Sequence, residues 1–257
     1  MVEVNKTHLW VSSLALAAIA EADTGGEIKT AVFGAFGRPD FFDLFQTKRD
    51  LVFFAGYGDT LYTAVSGTRN ARGWARNLWI RPLKAGWHPG FVDSATDLFM
   101  PMLTSVQRFC PKRVVFCGHS AGHAIALRLA YDLGGISGGR VEHVGFCGPQ
   151  TVNKEGREAL RRQRVNSTAI QIGKEDQVDD VAKLVGGVNY SLTVKLPSDG
   201  KPGLCKIPII DRLFWGHAPS YVWRCLIKYF KYCKNMTDGE KAKIIGDCRF
   251  LSQFVTK

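Results

Sequence analysis

The chain has 257 residues, of which 46% are apolar and 22% charged. That balance is the one of an ordinary globular protein rather than a disordered chain, and the length suits a single α/β domain, residues 1–257, with a sizeable core. The net charge of +11 favours anionic partners, but no nucleic-acid module accompanies it, so nucleic acid is not expected and peripheral contact with an anionic membrane surface is.

The N-terminal segment 8–22 has helical spacing and ends at Gly25-Gly26, with Thr7 as a suitable N-cap. Its apolar stretch 8–20 closes on Ala18-Ile19-Ala20, which also fits a signal sequence with a cleavage site. Against that, the preceding residues carry Glu3 beside a single Lys6, so a folded helix is the favoured reading. Seven cysteines, an odd number with no CxxC pair, argue against a disulfide framework. No apolar run is long enough for a membrane span. The expected location is therefore cytoplasmic or membrane-peripheral, with secretion as the alternative.

Further along, 51–55 (LVFFA) and 61–66 (LYTAVS) flank Gly56-Tyr57-Gly58-Asp59 and read as a hairpin. Residues 95–110 have helical spacing and stop at Pro111. A short apolar strand, 113–117 (RVVFC), precedes a helix at 121–133 that ends at Gly134-Gly135. Then follow a strand at 141–147, a helix at 154–164, a strand at 165–173 and another at 189–196, with terminal helices at 218–232 and 238–250. The two basic clusters, 154–164 and 228–234, each read as a solvated helix face. This alternation predicts an α/β fold with a mostly parallel central sheet and helices on both faces.

Gly118-His119-Ser120-Ala121-Gly122 matches G-x-S-x-G. The pentapeptide alone is a weak signal; its setting, straight out of a strand and straight into a helix, is the stronger one. A sharp turn there lifts the Ser120 hydroxyl above the carboxyl end of the sheet, and the Ala121 N–H at the helix start is aimed at a developing oxyanion. The competing reading is a glycine-rich turn with an incidental serine. A serine hydroxyl needs a base to take its proton. Of the histidines after Ser120, His123 is too local and His143 lies in a strand, where it packs on a face. His217 sits in a loop leading to a helix and has carboxylates between itself and the serine. The orienting acid belongs just past a later parallel strand, where Asp176 is best placed and Asp179 second; a solvated acidic loop is the bland alternative.

With these residues in order, the sequence resembles the class 3 lipases, which include the fungal triacylglycerol lipases and have the α/β-hydrolase fold. The likeness spans roughly residues 10–230. Ser66-Gly67-Thr68 is similar to the family's R-G-[S/T], His88-Pro89-Gly90-Phe91 to H-x-G-F, Phe146-Cys147-Gly148-Pro149 to F-G-A-P, and Asp176-Gln177-Val178 to D-x-V. The resemblance implies Thr68 and Ala121 as oxyanion donors, a lid segment carrying Trp74, and a Ser120–Asp176–His217 triad. Three positions depart from it: Ser66 replaces an arginine, His123 stands where a second glycine often follows the elbow, and Asp179 replaces a proline.

The expected function is serine carboxyl-ester hydrolysis that releases fatty acids from acylglycerols through an acyl-enzyme. It requires no cofactor, and no metal-ligand spacing is present. Phospholipase A1 action on anionic membranes is the second reading, and a catalytically inactive lipase-like scaffold is the alternative from another class. The segment around Trp74 also reads as a plain surface helix.

Overall fold

The computed structural model describes residues 4–22, 24–67, 86–136, 139–149, 151–163, 165–172, 192–196, 224–229 and 236–252. Among them, seven strands form one sheet whose spatial order follows the chain: β1 (Phe41–Gln46), β2 (Leu51–Tyr57), β3 (Thr60–Val65), β4 (Arg113–His119), β5 (Arg140–Phe146), β6 (Asn166–Ile172) and β7 (Leu192–Leu196). β1, β2 and β3 are an antiparallel meander, and β3 through β7 run parallel. The helices are α1 (Val4–Ile19), α2 (Gly25–Phe36), α3 (Pro89–Phe109), α4 (Ala121–Gly134), α5 (Lys154–Arg162) and α6 (Asp238–Ser252); residues 224–229 are also helical.

The sheet order explains the layering. Parallel crossovers are right-handed, and here each one steps in the same direction across the sheet. The three crossovers that the described residues include, β3–β4, β4–β5 and β5–β6, therefore deliver their helices to one face: α3 and α4 pack on Val52, Phe54, Val114, Phe116 and Val141, and α5 joins that layer through Leu160 against Leu127 of α4. The opposite face is left to the chain ends, so α1, α2 and α6 cover Val115, Cys117, Val144 and Phe53. Alternate residues of β4 thus enter different layers and both faces are buried, as its short run of valine, phenylalanine and cysteine demands of a central parallel strand.

α1 lies between the sheet and α6, which is why Leu14, Ala15, Leu16, Ala17 and Ile19 are all buried. It begins at Val4, so Thr7 lies inside the helix rather than capping it. α2 starts on a capping box: the Glu27 N–H donates to Thr24 Oγ1 (3.2 Å) and the Thr24 N–H donates to Glu27 Oε2 (3.0 Å). α3 starts at Pro89, six residues before the apolar periodicity suggested, because proline at the first helical position is preset for the helix and has no N–H to leave unpaired. It ends at Cys110, held at φ 53 in the left-handed region, with its N–H donated to Val106 O (2.8 Å) and Pro111 next in sequence.

A non-glycine residue in that conformation carries a steric cost of roughly 1–2 kcal/mol. Cys110 is exposed, so Cys110→Gly removes the strain and little packing. It is expected to raise unfolding stability by about 1 kcal/mol, read as an upward shift of the denaturation midpoint without a change in slope.

Candidate active site

The elbow sits at the carboxyl end of β4. Ser120 has φ 55 and ψ −125, outside the regions that L-residues ordinarily occupy, a strain that persists only where the surroundings over-determine it. They do so here. The Ser120 N–H donates to Phe146 O at the end of β5 (3.0 Å), and the His123 N–H donates back to Ser120 O (3.1 Å). The two glycines of the motif let the helix start close to the sheet. A Cβ at Gly118 would lie 2.3 Å from backbone atoms of Gly122, and a Cβ at Gly122 would lie 2.3 Å from Val65 O and 2.7 Å from Ser66 O. α4 therefore starts wedged between the ends of β3 and β4. Ala121 is its first residue, and the first-turn N–H groups of a helix lack intrahelical partners and carry its positive dipole end.

Next to this turn, the end of β3 is pinned. Ser66, buried where the family pattern has arginine, accepts from the Leu51 N–H through Oγ (3.1 Å) and donates its own N–H to Leu51 O (2.9 Å). The Gly67 N–H donates to Oε1 of Glu21, just past α1 (3.0 Å), and the same oxygen lies 3.5 Å from His119 Nδ1. Nothing local in the sequence marks Glu21: it is outside every motif and meets Gly67 only through the fold. On the other side of the elbow, Cys147 takes φ 47 at the end of β5 and donates its N–H to Ile170 O (2.8 Å). It occupies the glycine place of F-G-A-P, and as a non-glycine residue it holds this left-handed conformation at a steric cost.

His123 and His143 both lie inside, as their positions on α4 and β5 require. The His123 ring fills space that two glycines leave open: a Cβ at Gly145 would come within 1.6 Å of its Nδ1, and one at Gly148 within 2.3 Å of its Cγ. Its ring packs edge-on to that of His143, with centroids 5.0 Å apart. His143 Nε2 is 3.2 Å from the His123 carbonyl, and Nδ1 is 2.8 Å from Ser167 Oγ. A carbonyl can only accept, so Nε2 carries the proton and Nδ1 accepts from the serine. Burial holds the His143 imidazole well below its usual 6.5, with the neighbouring His123 acting in the same direction and the backbone bond opposing both.

Of the residues singled out by sequence, the structure describes Ser120 and Ala121 and brings them together at the turn. Thr68, Trp74, Asp176, Asp179 and His217 lie outside the described residues. Among the described residues, no group of three His, Cys, Asp or Glu side chains is disposed to hold a metal ion, and no helix is long and apolar enough to cross a membrane.

The buried His143 has a consequence for acid stability. Its folded value is depressed, so below about 6.5 the unfolded chain takes up a proton that the native state refuses. The stability it contributes is complete above that pH and is lost as the pH falls through and below it, by at most about 1.4 kcal/mol per pH unit for one proton. His143→Gln, which retains an N–H donor for the His123 carbonyl, is expected to flatten the pH dependence of the unfolding free energy between pH 6.5 and 4.5. An unchanged slope would assign the acid sensitivity to other groups.

The model of the class 3 lipase family matches residues 56–184, half of the chain. No curated protein sequence matches. Among solved structures, the lipase of Rhizopus microsporus var. chinensis is similar with a TM-score of 0.62 at 17% identity, over 77% of this chain and 76% of that one. Lipase II of Rhizopus niveus gives 0.60 at 18% identity, over 76% and 80%, and the triacylglyceride lipase of Rhizomucor miehei gives 0.55 at 18%, over 77% and 81%. At these identities the structural likeness speaks for the fold, and the family match carries the assignment: the chain belongs to the class 3 lipases, carboxylic ester hydrolases with the α/β-hydrolase fold.

Proposed function

We propose that the protein releases fatty acids from acylglycerols by a Ser120–Asp176–His217 triad. His217 takes the Ser120 proton as the hydroxyl oxygen attacks the ester carbonyl, and passes it to the departing glycerol oxygen as the acyl-enzyme forms. A water molecule then gives a proton to His217 and attacks the acyl carbon; the fatty acid leaves and the proton returns to Ser120. Asp176 stays ionised, orients the imidazole and stabilises its charged form. The N–H of Ala121, together with Thr68, holds the oxyanion of both tetrahedral intermediates. In the same reading, Trp74 belongs to the segment that meets the lipid surface.

The observation that supports this most is the Ser120 backbone itself, held at positive φ at the first turn of α4 beside the end of β3. A plain strand–helix connection has no use for that strain, whereas a nucleophile that must stand clear of the sheet does. The triacylglyceride action of the Rhizomucor miehei enzyme, which is similar in fold, supports the substrate class. The net charge of +11 favours a second substrate, anionic phospholipid, cleaved by the same chemistry as a phospholipase A1.

A fluorophosphonate is expected to label Ser120, and Ser120→Ala should lose the label together with at least about 10³-fold of esterase activity. An active enzyme that takes no label at Ser120 would overturn the assignment. Fatty-acid release from neutral glyceride emulsions and anionic phospholipid vesicles, each at low and high salt, orders the substrates. Release from anionic vesicles that falls as salt rises supports the electrostatic contribution; a salt-insensitive preference for neutral glyceride rejects it.

A further inference from the structure

In the proposed mechanism the two oxyanion donors come from different parts of the chain. One follows Gly67 at the end of β3, and the other follows Ser120 at the end of β4. Such donors work only if their spacing is held to within about 0.5 Å. The packing of α4 on Val65 and Ser66 sets that spacing on one side. On the other side, a single carboxylate meets both segments.

That carboxylate belongs to Glu21. The turn that carries it is fastened to α1 by the Glu21 N–H on Ala18 O (3.0 Å) and the Ala22 N–H on Ile19 O (3.1 Å). α1 is itself fixed in the core through Leu14, Leu16, Ala17 and Ile19. From this rigid base, Glu21 Oε1 accepts the Gly67 N–H at 3.0 Å and faces His119 Nδ1 at 3.5 Å. The fit is close: a Cβ on Gly67 would lie 2.6 Å from Oε1 and 3.1 Å from the His119 carbonyl. The glycine therefore allows the carboxylate, the residue before Thr68 and the residue before Ser120 to meet at one point. We infer that Glu21 is a positioning residue: it ties the end of the oxyanion strand to the elbow and sets the distance between the two donors. The inference rests on reading Thr68 and Ala121 as those donors.

A negative charge close to a developing oxyanion works against catalysis, so under this role the hydrogen bond matters and the charge does not. That separates positioning from electrostatics and from simple stability. Hydrolysis of a soluble short-chain p-nitrophenyl ester by wild type, Glu21→Gln, Glu21→Ala and Glu21→Asp gives kcat and KM apart, with the melting temperature of each variant and the rate of fluorophosphonate labelling measured alongside. Glu21→Gln keeps an oxygen acceptor for the Gly67 N–H and is expected to retain wild-type kcat or exceed it. Glu21→Ala removes the acceptor and Glu21→Asp withdraws it by one methylene; both are expected to lose about tenfold to a hundredfold in kcat, with KM little changed and labelling slowed in parallel. Leu98→Val, which loosens the packing of α3 and touches neither α1 nor either segment, should lower the melting temperature and leave kcat unaltered. Wild-type kcat in Glu21→Ala or Glu21→Asp overturns the positioning role while leaving ester hydrolysis intact, and so does an equal loss in Glu21→Gln. If Glu21→Ala does not fold, Glu21→Gln and Glu21→Asp decide. A wild-type enzyme that neither hydrolyses the ester nor takes the label brings down the proposed function, and this inference with it.

Discussion

The closeness of α4 to the ends of β3 and β4 governs the rest of the molecule. Two glycines, four residues apart, bring the backbone of the helix against Val65 O and Ser66 O, where no side chain fits. The residue between them, Ser120, is left in a conformation that costs roughly 1–3 kcal/mol. The cost is met locally by the bond from its N–H to Phe146 O. More broadly it is met by a strand buried on both faces and a helix whose inner side, from Ala121 through Leu133, is almost wholly enclosed. A strained turn survives when the elements on both sides of it cannot move, and here both are central to the core.

The same closeness shapes what surrounds the elbow. His123 is a large side chain in the first turn of α4, at a position where the family pattern often has glycine. It is accommodated because Gly145 and Gly148 on the neighbouring strand and its exit carry no Cβ. The missing volume has moved from helix to strand, and the imidazole that fills it packs on His143, whose tautomer is set by a carbonyl and a serine. Buried polar groups of this kind need every partner satisfied. Ser66 shows a similar exchange: in place of an arginine, a small hydroxyl closes the register between β2 and β3 just before Gly67. Both departures change how the site is supported and leave its hydroxyl and helix terminus in place.

What could be read from the sequence divides along the range of the interactions. The hairpin of β2 and β3, the strand–turn–helix at Ser120 and the strands after it are encoded by local pattern, so their existence was legible and only their ends shifted by a few residues. The mostly parallel sheet followed from the alternation of strands and helices. β1 escaped because FFDLFQ has no clean alternation, and the structure shows why: none of its residues is fully buried and the last two are exposed. α2 escaped although its start signal, Thr24 with Glu27 three residues on, was present; two glycines at its first positions obscured it. Thr7 has the hydroxyl that favours helix starts, but α1 begins three residues earlier, at Val4. In the candidate site, the nucleophile's turn is a local feature and could be read directly. Glu21 could not: its contact with Gly67 spans 46 residues of chain and exists only once α1 has docked on the sheet.

The chemistry proposed for this fold joins a rigid turn to groups supplied from far along the chain, and their meeting is the central claim. The most direct measurement is a crystal structure of the enzyme phosphonylated at Ser120. The phosphonyl oxygen should lie about 3 Å from the N–H groups of residues 68 and 121, with the His217 imidazole within hydrogen-bond reach of Ser120 Oγ and of the Asp176 carboxylate. A His217 ring held well away from Ser120, with another base or none in its place, would contradict it.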